Sequence, residues 1–143
     1  MRTKVDPPAT WRRVQVDRRE REIALALAGW AAASVAGGAA LLARGDAAAG
    51  RQHLVWGAVD GAIAARGLLG APDRTTAPAA RVRRLRRLLL VNAAIDVGYV
   101  AAGLALRSGR LRPGLEADGT AVVVQGGFLL VFDLLQAGRL HRP

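Results

Sequence analysis

The sequence predicts an all-α protein, a four-helix transmembrane bundle with antiparallel up-down topology and a short N-terminal interfacial helix. Hydrophobic residues make up 52% of the 143 positions and aromatic residues only 4%, and the apolar residues gather in long runs. Of the 21 basic residues, 20 are arginine, and they cluster between those runs. Apolar runs flanked by clustered positive charge are typical of a membrane protein. We therefore expect a basic N-terminal segment, residues 1–22, followed by a four-helix domain, residues 23–140.

The first apolar run, residues 23–43, contains no charged residue. About 20 apolar residues are enough to cross the bilayer core, so this run predicts the first membrane span. It is too long for the apolar part of a cleavable signal peptide, and we expect the helix to be retained. Gly29, Ala33 and Gly37 recur at every fourth position, a spacing that allows a second helix to approach closely.

The N-terminal segment is polar and basic. Thr10 can cap a helix that begins with Trp11, and tryptophan is enriched where membrane meets water. A short helix lying at the interface is the favoured interpretation, and a disordered basic tail is the alternative.

Three further spans are predicted, at residues 47–70, 88–106 and 120–138. The second is the weakest because Arg51 and Arg66 lie within its bounds, although both side chains could extend to the membrane surfaces. The connection before the third span ends in a basic run that consists of Arg81, Arg83, Arg84, Arg86 and Arg87.

One face of the third span is polar. Asn92, Asp96 and Tyr99 stand at i, i+4 and i+7, which places them on the same side of a helix. Gln125 and Asp133 share a face of the fourth span in the same way. An ionisable group at the bilayer centre costs about 2.5–3.5 kcal/mol, so these faces should contact protein or water.

A comparison of depths along the four spans places Asp60 of the second span near the polar groups of the other two. We therefore predict one polar seam, shared by the second, third and fourth helices. Its members are Asp60, Asn92, Asp96, Tyr99, Gln125 and Asp133.

Two interpretations of the seam stay open. Polar side chains inside a bundle commonly join helices through hydrogen bonds, and this structural role is favoured. The alternative is that the carboxylates bind a proton or a cation, as intramembrane acids often do. For Asp133 alone, a salt bridge to Arg139 is expected.

The distribution of positive charge predicts how the chain crosses the membrane. Sixteen basic residues fall on the side that carries both termini and five on the opposite side. Because positive charge favours the cytoplasmic side, we expect a multi-pass protein of the cytoplasmic (inner) membrane with both termini in the cytoplasm. The basic run before the third span is then expected to contact anionic lipid headgroups.

Other function classes are disfavoured. The net charge of +10 would suggest nucleic acid on a soluble fold, but basic clusters between membrane spans are not such a surface. There is no cysteine, and His53 and His141 are expected near opposite membrane faces, so no metal site or other cofactor is expected. No catalytic motif occurs in a fitting context, and we expect no enzymatic activity. A soluble helical bundle is the rival to the whole membrane interpretation.

Three stretches resemble an uncharacterised bacterial family of small four-helix integral membrane proteins, a domain of unknown function. They are residues 56–60 with Ile63 and Ala64, then Asn92 through Asp96 to Tyr99 and Gly103, then residues 125–130 to Asp133. The resemblance covers the second to fourth helices and implies a fold and a membrane location but no activity. It also implies that the charge of Asp60 is dispensable, because the family more often has asparagine there.

Together these observations predict an integral membrane protein that acts through helix association, as a homo-oligomer or with a membrane partner. The alternative is a small transporter or channel component that couples to protons or cations through its buried carboxylates.

Overall fold

A computed structural model describes residues 9–110 and 112–140 of the chain. These residues form four α-helices and no β-strand: α1 Ala9–Ala43, α2 Ala47–Leu69, α3 Pro78–Arg107 and α4 Glu116–Arg139. The predicted all-α fold with four helices is confirmed.

Local sequence signals explain where three of the helices begin. Asp46 caps α2, since its Oδ1 accepts a hydrogen bond from the backbone N–H of Ala49 at 3.1 Å. The preceding Gly45 has a φ of 86°, a left-handed conformation that suits glycine. α3 begins at Pro78, whose fixed φ suits the first helical turn. α4 has Glu116 in its first turn, where negative charge interacts favourably with the helix dipole.

The N-terminal region differs from the prediction, because no separate interfacial helix precedes the first span in the described residues. α1 runs without interruption from Ala9 to Ala43. Residues 11–22 contain neither glycine nor proline, so nothing breaks the helix there. Arg18 and Glu22 form an ion pair of 2.8 Å at i,i+4 that supports the helical conformation.

The connection between the second and third helices is shorter than predicted. α3 starts at Pro78, so the basic run of residues 81–87 is helical and extends the third span by about three turns. This run therefore forms the first turns of a helix at one end of the bundle, which we call the basic end.

The helices pack as two hairpins. α1 lies along α2 and α3 along α4, while α2 also contacts α4 and α1 contacts α3. In the first hairpin Gly38 approaches Gly50, whereas Gly67 approaches Ala24. The end of α1 thus contacts the start of α2, and an earlier part of α1 contacts the end of α2, so the two helices are antiparallel.

Each hairpin is closed by a pair of glycines near its turn. A Cβ atom at Gly38 would lie 2.9 Å from the carbonyl oxygen of Gly50. A Cβ at Gly103 would lie 3.0 Å from the carbonyl oxygen of Gly119 in the second hairpin. Any side chain at these positions would force the two backbones apart.

The two hairpins are packed in the same register. A Cβ at Gly57 would lie 2.8 Å from Cγ2 of Val35, and a Cβ at Gly126 would lie 3.4 Å from Cγ2 of Val100. Val35 precedes Gly38 by three residues, as Val100 precedes Gly103. Gly57 follows Gly50 by seven residues, as Gly126 follows Gly119. Equivalent residues thus make equivalent contacts in both halves.

We expect Gly119→Ala to lower the free energy of unfolding by about 1–3 kcal/mol, the usual effect of overpacking. Its Cβ would lie 2.5 Å from the backbone nitrogen of Arg107 and 2.7 Å from the carbonyl oxygen of Gly103. Gly127→Ala is the matched control, because nothing lies within 4 Å of a Cβ there. Thermal unfolding of the purified protein in detergent measures both. Equal midpoints for the two variants would contradict this close packing.

Three of the helices are long and apolar enough to cross a membrane, judged by length and composition. They are α1, α3 and α4, over residues 10–43, 78–107 and 116–139. α2, which the sequence predicts as the weakest span, is not among them.

Large aliphatic side chains lie on the outside of the bundle, whereas three acids lie inside it. Ile63 of α2 and Val131 of α4 are each 57% exposed, whereas Asp60 is 3% exposed. The buried apolar core is small and centres on Leu27 and Phe132. In water, charged side chains are almost never buried without a partner, and large aliphatic side chains gain by leaving the surface.

Candidate functional site

Three carboxylates from three helices lie inside the bundle. Asp60 of α2 is 3% exposed, and Asp96 of α3 and Asp133 of α4 are 5% exposed. Each lies close enough for its charge to affect the other two, so the three share one region of the interior. We call these three side chains the carboxylate cluster.

Small neighbours allow the cluster to lie between the helices. A buried alanine stands one helical turn from each carboxylate on the same helix: Ala64, Ala93 and Ala137. Residues three or four positions apart share a helix face, so each carboxylate belongs to the face that packs against the other helices. The short alanine side chains leave room for those helices to approach.

No cation compensates the cluster among the described residues. The only ion pairs there involve other acids, and the predicted salt bridge between Asp133 and Arg139 is not formed. The Oδ2 atom of Asp96 is buried and has no hydrogen-bond partner among the described groups. A buried charge without a partner is far more costly than a neutral polar group.

Gln125 connects Asp60 to the first helix. Its Nε2 donates to Oδ2 of Asp60 at 3.4 Å and to Oγ of Ser34 at 3.3 Å. Gln125 is 1% exposed and Ser34 is 4% exposed. This network joins α1, α2 and α4, and it is the part of the seam that acts as a structural connection.

Two predicted members of the seam lie at its edge. Asn92 and Tyr99 are exposed, although Asn92 lies beside Asp133. The ring of Tyr99 packs edge-on against Trp56, with centroids 5.1 Å apart. The buried face of α3 passes through Ala93 and Asp96, and the polar stripe read from the sequence is rotated to one side of it.

Sequence reasoning missed the part that α1 plays. Ser34 is the only hydroxyl in the charge-free run of residues 23–43, and that isolation was the available signal. Trp30 of α1 stacks on Phe128 of α4 with ring centroids 3.6 Å apart. First and fourth helices therefore meet across the bundle, next to the carboxylate cluster.

The basic run divides into one structural arginine and four others. Arg81 is buried, and its Nη2 lies 2.7 Å from Oδ1 of Asp17 and 2.5 Å from Oε2 of Glu20. Its Nη1 donates to the carbonyl oxygen of Asp73 at 3.1 Å. Arg81 thus ties α1 to the start of α3 and is not free to bind lipid. Of the other four, Arg86 is half-buried, and the exposed ones are Arg83, Arg84 and Arg87.

Within the described part of the chain, no three histidine, cysteine, aspartate or glutamate side chains are placed to hold a metal ion. His141 lies outside the described residues.

Residues 26–134 match a family described as a family of unknown function (DUF6992). The match begins within α1, so it covers more of the chain than the second to fourth helices on which the resemblance was based. No curated protein and no solved structure matched the chain.

Proposed function

We propose that this chain, which belongs to the DUF6992 family of unknown function, is a small integral membrane protein that carries protons on its carboxylate cluster. The observation that supports this function is the burial of three neighbouring carboxylates that form no ion pair with any cation of residues 9–110 and 112–140. Like charges in one buried space are relieved when the groups share protons. Acids in this position commonly serve proton relays of transporters.

The cluster fits a proton better than a metal ion. A hard cation requires several oxygen ligands at short distances from one centre, and the described residues offer no such group of three. A proton requires only one carboxylate at a time and can move between neighbours. Asp96, with its unpartnered Oδ2, is the member best placed to exchange one.

We place four helices across the bilayer, including α2. Although α2 falls short in hydropathy, it exposes Val55, Val59 and Ile63 and buries Asp60. That pattern is expected of a helix with lipid outside and protein inside. The excess of basic residues on one side supports cytoplasmic termini and an inner-membrane location.

A structural role for the seam is the second candidate, and the bonds of Gln125 to Ser34 and Asp60 favour it. In that case the protein acts through a homo-oligomer or a membrane partner. The sequence alone favours this role. However, a structural role predicts that each polar side chain of the seam has a hydrogen-bond partner, and Oδ2 of Asp96 has none among the described residues.

Proton flux into liposomes tests the first function. Protein is reconstituted with a trapped pH-sensitive dye, and a potassium diffusion potential drives protons inward. We expect the wild type to exceed empty liposomes and Asp96→Asn to fall to their rate. Asp118→Asn is the matched control, because Asp118 lies on α4 outside the cluster and bonds to Gln52. Wild-type flux equal to that of empty liposomes, or an equal loss in the control, would refute proton transport.

A further inference from the structure

A cavity of about 640 Å³ opens at the basic end of the bundle. Its walls come from the N-terminal half of α1, the last turn of α2, the connection at residues 70–73 and the start of α3. Five arginines and three acids line it: Arg18, Arg21, Arg66, Arg81, Arg84, Asp17, Glu20 and Asp73.

The acids in the wall are already engaged. Asp17 and Glu20 both contact the guanidinium of Arg81. Oδ1 of Asp73 accepts hydrogen bonds from the backbone N–H groups of Thr75 and Thr76 at 2.9 and 3.0 Å. The three acids are thus held by partners, and the five arginines outnumber them, so the cavity keeps a net positive charge.

Three of the arginines remain uncompensated. Arg18 is paired with Glu22 at 2.8 Å, and Arg81 is held by its two acids. Arg21, Arg66 and Arg84 form no ion pair with any described residue and are exposed. They come from three different helices and line one cavity, so their charges add at that position.

The apolar part of the wall indicates what kind of anion fits. Leu68, Leu85 and Leu88 also line the cavity, and Leu88 begins the apolar section of α3. The cavity thus lies at the junction of the charged and the apolar parts of the bundle. A molecule with a phosphate at one end and hydrocarbon at the other matches both.

We propose that this cavity binds the headgroup phosphate of an anionic phospholipid, with Arg21, Arg66 and Arg84 as its cationic contacts. Arg81 is a positioning residue that pairs with Asp17 and Glu20 and holds them on one side of the cavity. The site is distinct from general attraction of the basic run to the membrane surface, because it uses Arg66 of α2 and only one exposed arginine of the run.

The test compares two double variants with the same loss of charge. R66Q/R84Q removes two cavity arginines, whereas R83Q/R87Q removes two exposed arginines of α3 that do not line the cavity. Each protein is titrated in a neutral detergent with phosphatidylglycerol, with phosphatidylcholine and with inorganic phosphate. Lipid binding is followed by native mass spectrometry and by thermal stabilisation.

We expect wild type and R83Q/R87Q to prefer phosphatidylglycerol over phosphatidylcholine. R66Q/R84Q should lose affinity for the anionic lipid by about 5-fold for each arginine removed. Equal losses in the two double variants would overturn the proposal in favour of unspecific surface attraction. Displacement of the lipid by an equal concentration of inorganic phosphate would overturn it in favour of a free anion.

Discussion

Replacing Arg81 with methionine will lower the free energy of unfolding by about 2–4 kcal/mol, because it leaves Asp17 and Glu20 without their cation. Breaking a fully buried ion pair by removing one partner costs about 3–5 kcal/mol. Arg81 is 6% exposed, but side chains of the two acids are 34% and 36% exposed, and water therefore reduces the effect. Because the two ion pairs join α1 to α3, these helices should separate at the basic end. The same variant also loses the hydrogen bond to the carbonyl oxygen of Asp73.

Denaturant titration of the protein in detergent measures this loss, with Arg83→Met as the control on the same helix. Arg83 is exposed and forms no ion pair among the described residues, and its replacement should change stability by less than about 0.5 kcal/mol. A triple variant that replaces Asp17, Glu20 and Arg81 with apolar residues of similar size should recover much of the stability. If Arg81→Met unfolds at the same denaturant concentration as wild type, the ion pairs do not hold the two helices together.

Asp96→Leu and Gln125→Leu should change stability in opposite directions. Gln125 bonds to two partners, and its loss leaves Oδ2 of Asp60 and Oγ of Ser34 unsatisfied in the interior. We expect a loss of about 2 kcal/mol, since each buried unsatisfied group costs about 1–3 kcal/mol and interhelical bonds in membranes are worth less. Asp96→Leu removes an orphaned carboxylate and should leave stability unchanged or raise it by about 1 kcal/mol.

Unfolding by sodium dodecyl sulfate, followed by circular dichroism, gives both values. Asp96→Ala is measured beside Asp96→Leu, so that overpacking by the larger side chain is recognised. A marked loss of stability in Asp96→Ala would show that Asp96 holds helices together, and the structural role would then replace the proton role. A gain in stability together with lost proton flux is the outcome expected of a residue retained for function.

The sequence predicts the helices well because hydropathy and charge are local properties. The four apolar runs and the turn at Gly45 and Asp46 are read directly from neighbouring residues. The start of α3 at Pro78 is missed because the arginines that follow suggest a connection, although arginine is a good helix former. The buried position of Arg81 depends on acids of α1 about 60 residues away, and no local pattern reveals that pairing.

The site is predicted in part for the same reason. Helical periodicity places Asp96 with Asn92 and Tyr99, but the face that becomes buried is set mainly by packing contacts with α4. Those contacts select Ala93 and Asp96 and leave Asn92 and Tyr99 at the edge. Which polar residues of a stripe meet a partner helix depends on a rotation of the helix about its axis, and one sequence does not fix that angle.

The common register of the two hairpins has a consequence for the composition of the site. Equivalent glycine contacts in both halves define which positions of the two hairpins correspond. Counted from those glycines, the counterparts of Asp60, Asp96 and Asp133 are Leu129, Ala31 and Ala64. Each acid is thus present in one hairpin alone, two of them in the second and one in the first. The hairpins share their packing but not their polar residues, and the carboxylate cluster is assembled from two unlike halves.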